Sequence, residues 1–566
     1  MASGDLVSRV YSNFRGVDFR GDEINLKRSP DSLNVWKDYK ETESIRTRPG
    51  MELLHSFKKK VNGVYFYTVG DTEMIIVHSG TSLYRIKDGE CECISTLVSA
   101  GKSNAFVYND IFYFLDGSRY YSYDGVEVYL NEGYIPTTSV GRAPSGEIIN
   151  ADNNLQSQDV NLLCDQRINT FVGDGVSTVY HLDCQDIDEG FHPQVFISGE
   201  ETIMFTVDYK KGTLTFDNPP AKPKTDGQDN VSIQFVKKNN SELITKCTLV
   251  ELFDNRVFFS GNPDHPNVIW HSKLNDPTYC SDLDYYNEGL DSAMVKGLVA
   301  GHNALWVFKK GGQGNTNVFY HVPTIDSEEG KIYPNTHSNI SAKCVGGAIN
   351  FNDDIVFFSD RGMEGLSGDI TTEQAISHRS TVVDRKLIAE ADYKDMILVE
   401  WEGYLVVIIG NKAYLADSRA TFTSENHYEY EWFYWELEKE ITCANVNNGI
   451  LYLGASDGLY TLTDLTSDIV SYWVTPKDKF KHPQFVKTTN KRGCVVEATG
   501  DISVYTKTEK SKDFEFIGTY ENIEDYFVSR IKCKKFKDIQ LKFYSNTRFS
   551  LETATLESFI GGYTKR

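Results

Sequence analysis

The chain has 566 residues, among them 43 Gly, 15 Pro, 33 Tyr and 32 Phe, and a formal net charge of −22 from 58 basic and 80 acidic side chains. That length allows two to four domains or one large repeat array. The acidic balance argues against a general nucleic-acid binder, whose affinity for phosphate comes from Lys and Arg, and suits a soluble acidic surface or an acid-lined channel past which DNA slides.

Residues 1–50 do not have the pattern of the later repeats. Met1-Ala2-Ser3-Gly4-Asp5 lacks the charged-then-apolar sequence of an export leader, so none is expected. Ser29-Pro30-Asp31 predicts a short helical turn, and the segment closes on Thr47-Arg48-Pro49-Gly50, reading as an N-terminal arm laid over the propeller or a neighbouring subunit. From 51 onward short strands follow one another, such as Val64-Tyr65-Phe66-Tyr67, Glu73-Met74-Ile75-Ile76-Val77 and Ile111-Phe112-Tyr113-Phe114. Between 144 and 240 the pattern changes. Five or six strands with Gly and Pro turns there, including Ser177-Thr178-Val179-Tyr180 and Val231-Ser232-Ile233-Gln234-Phe235, predict an inserted β-sandwich. Such an excursion costs little, because loop-closure entropy grows slowly with length.

The first pattern resumes after 241 with Val257-Phe258-Phe259, Leu305-Trp306-Val307-Phe308 and Ile355-Val356-Phe357-Phe358. One helix is predicted over 381–395, with Val383, Leu387, Ile388 and Ala391 on one face. The most apolar run, 405–409, has strand length, and no stretch approaches a membrane span. Past 475 strands persist without the period. The stretch 475–566 reads as a closing β-element carrying Lys532, Lys534, Lys535 and Lys537, ordinarily a solvated face and alternatively a contact for DNA phosphate.

A repeat organises this list. Turn pairs at Asn62-Gly63, Asn109-Asp110, Asp254-Asn255, His302-Asn303, Asn352-Asp353, Glu402-Gly403 and Asn448-Gly449 each precede an apolar strand, 46 to 50 residues apart except across the insertion. A period of this size predicts a mostly β fold: a β-propeller of about seven blades with an inserted β-sandwich, an N-terminal arm and a C-terminal β-element. The expected domains are 1–50, 51–143, 144–240, 241–474 and 475–566.

Motifs for chemistry are scarce. Gly311-Gly312-Gln313-Gly314-Asn315 lacks the Gly-Lys-Ser/Thr of a phosphate-binding loop. In Gln185-Asp186-Ile187-Asp188-Glu189-Gly190 a calcium loop counted from Asp186 would place Phe191 and Ile197 where Gly and Glu are needed, so an ordinary acidic turn is expected. Asp360-Arg361-Gly362 and Asp417-Ser418-Arg419 read as turns held by Asp and a neighbouring Arg. The ten cysteines contain no Cys-x-x-Cys pair, Cys91-Glu92-Cys93 is too tight for a zinc knuckle, and most read as small buried hydrophobes of a reducing cytosol. In Tyr428-Glu429-Tyr430-Glu431-Trp432-Phe433-Tyr434-Trp435, Tyr428, Tyr430, Trp432 and Tyr434 share one strand face; packing is favoured over ligand stacking. No catalytic, cofactor or metal residue is assigned, and no enzyme activity is expected.

Several ordered segments resemble a family of tailed-bacteriophage virion proteins, the packaged-DNA stabilisation or tail-hub proteins of short-tailed phages, and more distantly the nozzle proteins. They are 34–50, Tyr134-Ile135-Pro136, Val160-Asn161-Leu162-Leu163, Phe171-Val172-Gly173-Asp174-Gly175, Phe259-Ser260-Gly261-Asn262-Pro263-Asp264, Asn275-Asp276-Pro277-Thr278-Tyr279-Cys280, 360–366, 415–419 and 429–432. The resemblance implies a structural virion protein, made in the host cytoplasm, that forms a ring of six copies between the portal and other tail proteins. Such a ring retains packaged DNA and lets it exit without reading its sequence. It also suggests Asn34, Trp36, Arg48, Asp174 and Trp432 as interface residues. The alternatives are a virion propeller that binds host-surface glycans and a carbohydrate-active enzyme.

Overall fold

Two-residue turns set the architecture. At Asn109-Asp110, Asp254-Asn255, His302-Asn303, Asn352-Asp353, Glu402-Gly403 and Asn448-Gly449 both residues hold positive φ, between 47° and 77°. That is type I′ geometry, whose twist matches the strands it joins. A computed structural model describes residues 5–40, 44–96, 99–149, 156–289, 292–311, 317–323, 332–338, 343–366, 376–424, 427–465 and 468–563. In it each of these turns joins the first two strands of a four-stranded antiparallel sheet.

Blade 1 consists of Val61–Val69, Thr72–Ser79, Ser82–Lys87 and Glu90–Ser95. Blade 2 runs from Asn104–Tyr108 to Val128–Leu130, blade 3 from Leu249–Phe253 to Tyr285–Asn287, and blade 4 from Val295–Gly301 to Ile332–Ser338. Blade 5 runs from Ala348–Phe351 to Ile376–His378 and blade 6 from Ile397–Trp401 to His427–Glu436. Blade 7 takes three strands from Cys443–Asn447 to Gly458–Thr463, and its fourth is Gly50–Ser56. That strand pairs from Ser56 opposite Gly458 to Gly50 opposite Thr463, with one shift of register between His55 opposite Leu459 and Leu53 opposite Tyr460. Among the described residues the protein is thus a seven-bladed β-propeller closed by its own N-terminal strand.

Neighbouring blades are stitched at both ends of their innermost strands. At the turn end the Tyr67 hydroxyl donates to the Asp110 carbonyl (2.6 Å), Trp401 Nε1 to Gly449 (3.0 Å) and Asn448 Nδ2 to Glu73 (2.9 Å). At the other end Asn104 Nδ2 donates to the Thr248 carbonyl (2.9 Å) and Asn445 Nδ2 to Val64 (3.1 Å).

The insertion holds a five-stranded sheet, which begins with Thr137–Arg142 ahead of the expected edge at 144, and a three-stranded sheet. Phe171, Tyr180, Val195, Leu214, Phe216, Ile233 and Phe235 form the core they share.

The expected arm and closing element are one structure. Leu6–Ser12 pairs along Phe549–Tyr563, and Ile45–Thr47 pairs with the same strand and with Val35–Lys37. They join a nine-stranded sheet built on the 24-residue strand Phe485–Thr508. Its core runs continuously from Val496, Val504 and Leu551 through Trp36 and Trp473 to Trp435 of blade 6 and Leu453 of blade 7.

Three local expectations are corrected. Asn62-Gly63 lies inside Val61–Val69, where the ladder register shifts; the turn of blade 1 is Gly70-Asp71, with positive φ at the glycine alone. No helical turn forms at Ser29-Pro30-Asp31, because Arg28–Ser29 is a strand and Ser29 Oγ donates to the Val474 carbonyl (2.7 Å). The helix over 381–395 breaks into Asp384–Leu387 and the 3-10 turn Tyr393–Asp395. Val383, Leu387 and Tyr393 reach the core between blades 5 and 6, whereas Ile388 and Ala391 face solvent. The Tyr393 hydroxyl, bonded to the Ser359 carbonyl (2.7 Å), pins the chain before it enters blade 6.

The arm crosses blade 6 at Gly16, whose φ is +112° and whose added Cβ would lie 2.0 Å from the Trp432 carbonyl oxygen. Gly16→Ala should therefore lower unfolding free energy by about 2 kcal/mol or more in urea titration. Gly21→Ala, with nothing within 4 Å, should leave it unchanged.

Candidate functional site

Most of the segments that carry the resemblance fall at two joints, whereas 171–175 lies at the far end of the insertion. At the first, the arm lies over the outermost strand of blade 6, which is buried on both faces. Asn34, held at φ +56°, accepts the Arg48 Nε proton (3.0 Å) and the Glu436 amide (2.8 Å) on Oδ1 and donates Nδ2 to the Val470 carbonyl (2.9 Å). Arg48 also donates to the carbonyls of Pro49 and Glu436, both at 2.8 Å, and burial lowers its pKa. Trp36 stacks on Trp401 at 5.1 Å and meets Trp435 edge-on at 5.8 Å. Trp432 donates Nε1 to the Arg379 carbonyl (3.2 Å).

Four of the five residues suggested for an interface thus sit inside the chain: Asn34, Trp36, Arg48 and Trp432 are buried, at most 6% exposed. Asp174 is half-buried in the insertion, where it accepts the Ser177 hydroxyl (2.6 Å) and the amides of Ser177 and Val176 (2.7 and 2.8 Å), bonds that hold its pKa down.

Charges at this joint are buried and paired. Arg28 forms a bidentate pair with Glu431 (2.8 and 2.9 Å), with Asp18 also 3.6 Å from Arg28. Burial raises the Glu431 pKa and Arg28 opposes the shift. Arg379 Nε meets Asp354 (2.9 Å), which also accepts the Tyr430 hydroxyl (2.8 Å). The expected turn at Asp417-Ser418-Arg419 does not form: these residues lie in the strand Lys412–Ser424, at a shift of the ladder register, where Asp417 accepts the Tyr39 hydroxyl (2.5 Å) and the Arg419 amide (3.0 Å) and ties down the arm.

The second joint roots the insertion on blade 3. Asn161, fully buried, donates Nδ2 to the carbonyls of Tyr134 (2.8 Å) and Thr278 (2.9 Å) and accepts the amides of Leu163 (3.1 Å) and Cys280 (3.0 Å). Tyr134 stacks on Tyr279 at 5.1 Å.

The beginnings of the innermost strands surround an axial mouth, a cavity of about 320 Å³ to which all seven blades contribute. Its charged lining is Lys102 and Lys296, and Lys60 stands close enough to act on Cys443 in the wall. This mouth is therefore basic rather than acid-lined. The carboxylates Asp71, Asp110, Asp254, Asp353 and Glu402 sit on the turns at the other end of those strands. Sequence reading missed the mouth, although Lys60, Lys102, Lys296 and Lys343 each stand just before or at the start of an innermost strand. On the innermost strand of blade 3, burial pushes the Glu251 carboxyl up to about 7, opposed by the Ala300 amide of blade 4.

Elsewhere, Asp188 accepts the Gly190 amide (2.8 Å), and Lys237 donates to the carbonyls of Gln185 and Asp186 (2.8 and 2.9 Å). Residues 312–315 of the glycine-rich run lie outside the described residues. Cys91 and Cys93 depart from expectation, exposed on the edge strand Glu90–Ser95, while Cys164, Cys247, Cys280, Cys344 and Cys494 are buried. No group of three or more potential metal-ligating side chains occurs among the described residues.

No family model matches the chain, and no curated protein matches it. Solved propellers resemble it at low identity. BamB from Moraxella catarrhalis is 9% identical, covering 78% of this chain and 94% of its own at a TM-score of 0.34. The WD40 β-propeller domain of Doa1 is 11% identical over 74% and 98%, at 0.31. YCF48 bound to D1 peptide is 7% identical over 74% and 99%, at 0.32. The likeness concerns fold alone, and the blade order rests on the strand pairing described above.

Two outcomes follow from the joint and its surroundings. Arg28→Met leaves Glu431 buried without its bidentate partner and should cost about 3 kcal/mol in denaturant unfolding. His378 lies between Asp384 (2.6 Å) and Glu364 (3.3 Å). Burial would lower its pKa, but the two carboxylates outweigh burial and push it up to about 10. A pKa raised on folding stabilises fully below the ordinary value near 6.5 and is lost as pH rises through about 10. The stability gap between wild type and His378→Gln should therefore be widest below pH 6.5 and close toward pH 10; a pH-independent gap would contradict the pairing.

Proposed function

We propose that the protein is a structural assembly subunit: a rigid propeller that presents its insertion and its C-terminal sheet to neighbouring copies, as a ring-forming tail hub or nozzle of a bacteriophage. The observation that carries this reading is that most of the resembling segments meet at two joints. One joint fixes the arm to blade 6 and the other roots the insertion on blade 3, so both modules stand at set angles on the ring. Setting such angles is what a closed assembly requires of its subunit. The far end of the insertion exposes Val176, Ile203 and Met204, each more than 60% accessible, a small apolar tip suited to packing on a second copy. In this reading the acidic surface keeps the exit path from trapping DNA, and the neighbours are a portal or adaptor and other tail proteins.

A glycan-binding propeller fits less well. All seven tryptophans are at most 7% exposed and occupied by packing, which leaves none to stack on a sugar.

Native mass spectrometry of the full chain tests the reading. It should give one closed oligomer at a whole multiple of 64.1 kDa, with six copies expected, and a paired Ile203→Asp, Met204→Asp variant should shift it toward monomer. A monomer at every concentration tried would refute the proposal.

A further inference from the structure

The segment after Tyr526–Ser529 runs beside the central strand of the C-terminal sheet. The Thr489 amide donates to the Cys533 carbonyl (3.0 Å), its hydroxyl to Ile531 (2.7 Å), and Lys487 and Phe536 exchange amide bonds (2.7 and 3.0 Å). These bonds turn Ile531 and Phe536 inward, both 1% accessible, and leave Arg530, Lys532 and Lys534 outward. At about 3.3 Å per extended residue, alternate side chains emerge about 6–7 Å apart, comparable with successive phosphates along a nucleic-acid strand.

The row is longer than this segment. Lys535, at φ +54°, and Lys537 extend it at one end, and Lys510 joins there by donating Nζ to the Lys534 carbonyl (3.1 Å). At the other end Gly493 packs against the Ser529 carbonyl, bringing exposed Lys491 and Arg492 beside Arg530. Nearby Lys477 and Lys479 are neutralised by Asp22 and Glu23 (2.8 and 2.6 Å). Among the described residues Lys491, Arg492, Arg530, Lys532, Lys534 and Lys535 have no carboxylate at ion-pair distance, and Glu509 is occupied by the Lys537 amide (2.9 Å). A chain with 22 more acids than bases thus keeps one row of unpaired cations on a fixed backbone.

We propose that this strip holds the phosphate backbone of a nucleic acid without reading its sequence. Lysine is depleted from protein–protein interfaces, whereas phosphate contacts are dominated by Lys and Arg, so a backbone of phosphates fits the strip better than an acidic protein face. The inference rests on the assembly role proposed above for the identity of the polyanion as packaged DNA.

Fluorescence anisotropy across a salt series tests it, with the full chain and a labelled duplex, a single strand of equal length, and polyglutamate as competitor. Wild type should bind both nucleic acids regardless of sequence. The Lys532→Ala, Lys534→Ala, Lys535→Ala triple variant should lose about 2–3 units from the log–log salt slope with duplex, near 0.9 per phosphate contact removed. A Lys58→Ala, Lys59→Ala, Lys87→Ala triple variant, at exposed lysines outside the strip and the mouth, should keep the wild-type slope. Absence of binding at low salt, an unchanged slope in the strip variant, or equal competition by polyglutamate would overturn the proposal. Native mass spectrometry of the same samples separates the two readings: a ring that ignores DNA refutes the strip alone, and a DNA-binding monomer refutes the ring alone.

Discussion

A ring of sheets has to be closed, and in this chain closure depends on backbone pairing between residues four hundred positions apart. Gly50–Ser56 completes the outer edge of blade 7, so the first blade after it and the last blade before the C-terminal sheet are held by one ladder. Without that strand Gly458–Thr463 would be an open edge with unpaired amides and carbonyls, a template for association with other chains. Closure also fixes where the chain's beginning can go, since residue 50 must arrive at the rim between blades 6 and 7.

Everything upstream of residue 50 follows from that anchoring point. The arm reaches it by crossing blade 6, where Gly16 allows backbone to lie on backbone and Arg28 neutralises a buried Glu431. It then joins the C-terminal sheet through Ile45–Thr47 and Leu6–Ser12. Propeller and C-terminal sheet consequently share one hydrophobic core that includes Trp36, Trp435 and Trp473. For an assembly subunit this has a mechanical value: a load on the C-terminal sheet passes into the ring through paired strands and packed aromatics rather than through a linker.

The blades were legible in the sequence because their turns announce themselves chemically. Asn, Asp and Gly tolerate the left-handed conformation, so a type I′ turn leaves a local signature at each repeat. Blade 1 misled for the same reason: Asn62-Gly63 looks like a better turn than Gly70-Asp71, and only ladder register distinguishes them. The shared sheet of arm and C-terminus was not legible, because pairing across most of the chain leaves no local trace. The resemblance suggested Asn34 and Arg48 for an interface, and no local pattern showed that carbonyls, amides and a side-chain amide satisfy them in the interior. The cationic strip was visible as a run of lysines; what the sequence lacked was the inward turn of Ile531 and Phe536 that aligns it.

Native-state hydrogen exchange at the closing strand is the most direct check on this architecture. If Gly50–Ser56 closes the ring, its bonded amides should exchange only through global unfolding, at the free energy of the slowest inner-strand amides such as those of Tyr404–Ile409. Rapid exchange in 50–56 beside a protected Gly458–Thr463 would show a frayed terminus and a ring closed by some other means.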